Sequence, residues 1–256
     1  KEGIQVDLRV LDDNIFGAAL LYFTGNKEHN ILLRRIAIEK GLKLSEYGLF
    51  NNKTNKIVAG RTEEEVYKKL GLDYIEPEMR EDEGEIELAQ HHMLPKLICY
   101  DDIKGDLQMH TKWSDGSNTV EEMALAAKKL GYGYICITDH TGKLAIANAL
   151  DGKRILQQKK EIDKINKKLR GITILQGVEV NITDNGSLDM PDKVLKELDI
   201  VVASIHSGFK NPKEKITKRI LKAMENENVD IIAHPTGRLI TKRQSYDIDF
   251  DAVFDA

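Results

Sequence analysis

The sequence predicts an α/β fold: a mainly parallel sheet of repeated strand–helix units, preceded by a small α+β segment. Three observations carry this reading. From residue 105 onward, strand-like apolar runs at 105–110, 134–138, 173–182, 200–206 and 229–234 alternate with helical periodicity. Before residue 81, short strand and helix patterns are mixed without that rhythm. Residues 72–104 break both patterns with Pro77, Pro95 and an acidic run from Glu76 to Glu87. The chain therefore divides into a first domain at 1–80, a linker or docking segment at 81–104, and a second domain at 105–256.

Taken in order, residues 4–10 alternate Ile4, Val6, Leu8 and Val10 with polar neighbours, the period of a strand. Residues 16–23 form a second apolar run and read as another strand. Residues 30–40 set Leu33, Ile36 and Ala37 at helical spacing, with Gly41 as the stop. A short helix is expected over 63–70 between Thr62 and Gly71, and another over 84–91 inside the linker. In the second domain, Thr119 and Glu122 form a capping box ahead of Val120, Met123, Ala124, Ala127 and Leu130. Ile155, Ile162, Ile165 and Leu169 mark a longer helix closed by Gly171, and 213–224 a third. Repeated βα units imply a mainly parallel sheet, open or closed into a barrel.

Composition narrows the function classes. Charged residues at 31% and hydrophobic residues at 41% describe a globular chain. No apolar run approaches the roughly eighteen residues of a membrane span. Cys99 and Cys136 lie far apart, which fits reduced thiols and a cytoplasmic protein. The net charge of −4 offers no global attraction to nucleic acid, so contact with it needs local basic patches or metal ions. The chain opens at Lys1 on the edge of a strand pattern and closes at Ala256 inside a helical one, as a piece of a longer protein would.

Ligand-type side chains concentrate at the predicted strand ends. His110, His140, His206 and His234 each close a different strand, Asp115 follows the first, and Glu179 lies between Val178 and Val180 in the third. In parallel βα folds the C-terminal strand ends converge on one face. A lone histidine at a strand end is more often a satisfied polar residue than a ligand. Four of the seven histidines at separate strand ends are not explained that way, and an unpaired Glu179 in an apolar strand would be costly. His29, His91 and His92 fall elsewhere and read as surface or linker residues. Imidazole and carboxylate suit Zn²⁺, Mn²⁺ or Fe²⁺. So many ligands exceed the needs of one tetrahedral ion and point to two or three ions, which supply Lewis acidity and a hydroxide nucleophile near neutral pH.

The quoted motifs resemble a known family. The runs GDLQMHT (105–111), SDG (114–116), TDH (138–140), GVEVNI (177–182), SIH (204–206) and AHPTGR (233–238) are similar to those of the PHP (polymerase and histidinol phosphatase) domain. That resemblance implies a distorted (β/α)₇ barrel holding up to three ions, Mn²⁺ or Zn²⁺. His110, Asp115, His140, Glu179, His206 and His234 would be the metal ligands, with Glu179 also catalytic and Arg238 near the phosphate. The family usually has histidine where Gln108 stands, and its closing Asp-x-His pair does not occur before Ala256, which implies an incomplete site.

In the first domain, Asp7 reads as an ordinary solvent-facing aspartate, and Lys27, Arg34 and Arg35 as either phosphate contacts or a solvated helix face. The runs VDLR (6–9), LYFTG (21–25), RRIA (34–37), SEYG (45–48) and YIEPEMRE (74–81) resemble the end of the palm and the thumb of family X DNA polymerases. By that resemblance Asp7 is a catalytic carboxylate for Mg²⁺, and Tyr22, Phe23, Gly25, Asn30 and Arg34 meet the deoxynucleoside triphosphate. Asn26 stands where that family commonly has Ser or Thr. The palm's paired carboxylates would precede Lys1, so the chain is not expected to polymerise by itself. The implied parent is a monomeric repair polymerase with a metal-dependent 3′–5′ exonuclease, acting on primer-template DNA and 3′ ends without membrane association. The alternatives are a small-molecule phosphomonoesterase and a non-catalytic PHP domain that braces the polymerase.

Overall fold

The computed structural model describes residues 3, 5–142 and 148–256, and the chain forms two compact units, Lys1–Leu97 and Ile98–Ala256. The first unit contains helices α1 (Phe16–Thr24) and α2 (Lys27–Glu39), strands β1 (Leu42–Ser45), β2 (Gly48–Asn51) and β3 (Ile57–Ala59), and helices α3 (Glu63–Leu70) and α4 (Glu85–Gln90). The strands form an antiparallel sheet in the order β1-β2-β3. Leu21, Leu33, Leu49, Val66, Leu70 and Ile75 are central to its buried core.

Two strand expectations fail in this unit. Residues 5–10 form no strand: Val6, Leu8 and Val10 are 82–91% exposed. A period-two pattern makes a strand only when another strand accepts its hydrogen bonds, and among the described residues none does. Ile4, the first residue of that predicted strand, lies outside the described residues. Residues 16–23 form a helix rather than a strand. A short apolar run does not distinguish the two by periodicity, and here Ala18 and Leu21 enter the core while Phe16, Leu20 and Phe23 face out. Gly17 makes the packing feasible, because a Cβ there would lie 2.2 Å from the Thr62 backbone. The amides of Gly17 and Ala18 donate to the carbonyls of Arg61 and Gly60, satisfying free donors at the helix start.

Within the expected linker, the helix foreseen over 84–91 forms as α4. The boundary falls after Leu97, and α4 buries Ala89 in the first core. Polar contacts fix this stretch. Arg80 is fully buried and donates to both Glu63 carboxylate oxygens, at 2.8 and 3.2 Å, and from Nε to the Ile75 carbonyl at 3.0 Å. His29, expected at the surface, is fully buried on the α2 face it shares with Leu33, Ile36 and Ala37. Its Nδ1 lies 2.7 Å from Glu85 Oε1 and its Nε2 2.8 Å from the Tyr67 hydroxyl. A neutral imidazole donating from Nδ1 and accepting at Nε2 satisfies both partners. His91 and His92 are exposed.

The second unit alternates strand and helix: β4 (Gly105–Met109), α5 (Val120–Lys129), β5 (Tyr134–Ile137), α6 (Gly152–Lys168), β6 (Thr173–Asn181), α7 (Asp192–Leu195), β7 (Ile200–Ser204), α8 (Lys213–Met224), β8 (Ile231–Ile232) and α9 (Phe250–Phe254). The five strands pair in chain order, all parallel, as a curled half-barrel. The capping box of α5 is formed: Thr119 Oγ1 accepts from the Glu122 amide at 3.3 Å, and Glu122 accepts from the Thr119 amide at 2.7 Å. From α8, buried Arg219 donates to the carbonyls of Ile182, Thr183 and Ser207. One side chain thus ties together the loops that leave β6 and β7. No helix among the described residues is long and apolar enough to cross a membrane.

Two outcomes test this packing. Arg80→Met leaves Glu63 buried without its cation, and hydrogen exchange in α2 and α3 should report a loss of about 3–5 kcal/mol. Burial holds the His29 imidazole below its ordinary 6.5. The folded state therefore binds fewer protons than the unfolded chain once pH drops below that value. The contribution of His29 is complete above about 6.5 and declines as pH falls toward the lower folded value. In calorimetry from pH 8 to 5.5, replacing His29 by Gln should flatten the fall in the melting temperature of this unit.

Candidate metal centre

Strand geometry delivers each side chain. In β6, alternation turns Val178 and Val180 into the helix-covered core and Glu179 to the opposite face. A bridge between His140 and Glu179 extends β5 past Ile137 and sets that histidine beside the glutamate. His110 follows β4 directly, His206 follows β7 by two residues, and His234 follows β8 by two. The last sits in a turn with φ of 28°, closed by the Gly237 amide donating to its carbonyl at 2.9 Å. Asp115 is brought back by the loop between β4 and α5.

Four of these side chains meet on the Glu179 carboxylate. His206 Nε2 and His234 Nε2 lie 3.1 and 3.0 Å from Oε1, while His110 Nε2 and His140 Nδ1 lie 3.3 and 3.7 Å from Oε2. Asp115 approaches from the other side, 3.9 Å from His110 and 3.8 Å from His140. The His110 and His140 rings stack with centroids 4.5 Å apart. The resulting cleft, about 310 Å³, is also lined by Gln108, Arg238 and Arg243.

The electrostatics follow from this arrangement. Burial alone would raise the Glu179 pKa, but hydrogen bonds from His110, His206, His234 and Ser204 outweigh it and hold the carboxyl far below its usual range. The same bonds raise His110 and His234. His140 moves down because desolvation outweighs the pull of Glu179. The group is thus an ionised carboxylate ringed by imidazoles.

These residues fit divalent cations. Ligand atoms of His110, Asp115 and His140 lie within 4.8 Å of one another, as do those of His140, Glu179 and His206. The Nδ1 atoms of His110 and His140 are buried with no hydrogen-bond partner, which coordination would satisfy. Gln108 differs in kind: its Nε2 donates to Glu179 Oε2 at 2.8 Å, occupying an oxygen that an ion would otherwise take. Arg243 escaped the sequence reading, since nothing in its spacing marks it. It is held over the Phe209 ring at 3.7 Å and donates to the Gly237 carbonyl at 2.7 Å.

In the first unit, Tyr22, Phe23, Gly25, Asn30 and Arg34 line one cleft of about 580 Å³. Asn30 Nδ2 donates to the Tyr22 carbonyl at 2.9 Å, and the Arg34 guanidinium lies 5.3 Å from the Tyr22 ring centroid. Asn26 caps α2, accepting from the His29 amide at 2.9 Å. Asp7 is not among the lining residues. It is exposed and accepts a hydrogen bond from Gln5.

Residues 106–247 match the sequence profile of the PHP domain. The chain belongs to the PHP family. Ahead of its PHP domain, residues 19–81 match the DNA polymerase beta thumb. Over 98% of its length this PHP-family chain is 47% identical to the DNA polymerase/3′-5′ exonuclease PolX of Bacillus subtilis, of which it spans 44%. Over 59% of its length it is 38% identical to a protein named "probable phosphatase" from Thermoanaerobacter, spanning 59% of that protein. Among solved structures, the histidinol phosphate phosphatase of Lactococcus lactis, complexed with zinc, L-histidinol and phosphate, is 20% identical. That likeness covers 52% of this chain and 58% of the other, with a TM-score of 0.38.

If the cluster binds metal, excess Mn²⁺ should raise the melting temperature of the second unit. A free concentration one hundred times Kd corresponds to about 2.7 kcal/mol. Glu179→Gln should diminish the rise, measured by scanning fluorimetry with and without a chelator.

Proposed function

We propose that the second unit is a metal-dependent phosphodiesterase that trims 3′ ends of DNA, in a chain whose first unit positions that DNA. The observation that carries the reading is the convergence of His110, His140, Glu179, His206 and His234, from five successive parallel strands, on one cleft edged by two arginines. The PolX relative, similar along almost the whole chain, supports DNA as the substrate class.

His110, Asp115, His140, Glu179, His206 and His234 would hold Mn²⁺ or Zn²⁺, with Glu179 as the shared carboxylate. Bound ions supply Lewis acidity and lower the pKa of water near the phosphorus. Arg238, exposed at the mouth, and Arg243, fixed against Phe209, would pair with phosphate oxygens and set the ester in the cleft. The cleft of Tyr22, Phe23, Gly25, Asn30 and Arg34 would take the nucleotide, with Asp7 as a Mg²⁺ carboxylate of the polymerase site. In this reading residues 1–80 are the palm end and thumb, 105–256 the phosphoesterase, and the protein works as a monomer.

The purified chain, loaded with Mn²⁺, should shorten 5′-labelled single-stranded DNA. Glu179→Ala and His206→Ala should lose more than the about 10–100-fold typical of removing a residue behind a metal ligand. Preference for histidinol phosphate over DNA would transfer the reading to a small-molecule phosphatase. Trimming that survives Glu179→Ala would leave the unit a structural brace.

A further inference from the structure

Behind the metal-ligand cluster lies a buried carboxylate to which that reading gives no role. Asp139 has no solvent exposure and precedes His140. Each of its oxygens accepts two hydrogen bonds. Oδ1 accepts from the Thr111 amide at 2.7 Å and from Ser114 Oγ at 2.5 Å. Oδ2 accepts from Thr111 Oγ1 at 2.6 Å and Gln158 Nε2 at 2.6 Å. All four donors are neutral, and among the described residues no ion pair holds this aspartate.

The donors occupy telling positions. Thr111 follows His110, Ser114 precedes Asp115, and Asp139 itself precedes His140. Every member of the group His110, Asp115 and His140 is therefore chain-adjacent to a member of one buried hydrogen-bond hub. Ser114 Oγ also lies 3.2 Å from Asp115 Oδ1, so the hub touches a ligand directly. Gln158 anchors it to α6, from which Arg154 also donates to the Trp113 carbonyl in the same loop. The group of His140, Glu179 and His206 shares only His140 with this hub. Glu179 and His206 are placed by β6 and β7.

We propose that Asp139 is a positioning residue that pins the 111–115 loop to the end of β5, presetting the His110, Asp115 and His140 cation site and not its neighbour. The proposal rests on the metal-centre reading above. Partners behind metal ligands typically contribute about 10–100-fold in affinity by fixing ligand orientation. Asparagine disrupts this pattern: its amide nitrogen must face either the Thr111 amide, which cannot reverse, or the Thr111 hydroxyl and Gln158 amide, which would both have to turn from donor to acceptor.

Calorimetric titration of the full chain with Mn²⁺ tests this, comparing wild type, Asp115→Asn, Asp139→Asn, Thr111→Val, Thr111→Ser and Ser114→Ala. Asp139→Asn should weaken the binding step that Asp115→Asn weakens, by about 10–100-fold, and leave the other step within about threefold of wild type. Thr111→Val should weaken the same step, and Thr111→Ser, which keeps the hydroxyl, should restore it. A folded Asp139→Asn chain with wild-type titration, or with both steps weakened alike, overturns the proposal. Where Asp139→Asn fails to fold, Ser114→Ala decides: loss confined to the same step supports the proposal, and unchanged binding overturns it. A wild-type chain that binds no Mn²⁺ overturns the metal-centre reading and this proposal with it.

Discussion

A carboxylate stripped of water has to be met by donors, and the second unit is organised around one such group. Glu179 is 2% exposed and sits between two buried valines near the C-terminal end of β6. Four imidazoles and an amide reach it from β4, β5, β7 and β8, so strands on both sides of β6 end where they can serve it. The loops beyond those strands are held in turn by buried polar side chains, Arg219 behind β6 and β7 and Asp139 behind β4 and β5. The sheet supplies direction, and these secondary anchors supply the last ångström.

The first unit solves a related problem with different chemistry. Its segment after α3 carries many acidic residues and few large apolar ones, so apolar burial alone would hold it weakly. Arg80 with Glu63, and His29 with Glu85, dock it through charge-assisted hydrogen bonds in the interior. Removing either partner of such a pair costs much more than exchanging both for apolar groups. These contacts specify one arrangement of the chain.

The second unit was largely legible in the sequence, because parallel βα repeats have strong periodicity and each strand ends on a marked residue. The capping box at Thr119 and the helix at 213–224 appear where the pattern placed them. The first unit was less legible. Its strand pattern at residues 5–10 has no partner to confirm it locally, and its apolar run at 16–23 has no intrinsic preference that separates helix from strand. His29 looked like a surface residue because its partners, Tyr67 and Glu85, lie 38 and 56 positions away. Arg243 was invisible for the same reason, since Phe209, the ring it is held against, lies far from it in sequence. Long-range polar pairing leaves no short-range signature.

The alternation along β6 has one more consequence. Val178, Glu179 and Val180 assign opposite faces of the sheet to opposite chemistries. A slip of one residue in strand register would drive the carboxylate into the helix-covered layer and turn both valines toward the cleft. Misregistered chains would then be unable to bind a cation and would also carry an uncompensated charge in their hydrophobic layer. Strand register and the placement of this carboxylate are thus set together, near the C-terminal end of the nine-residue β6.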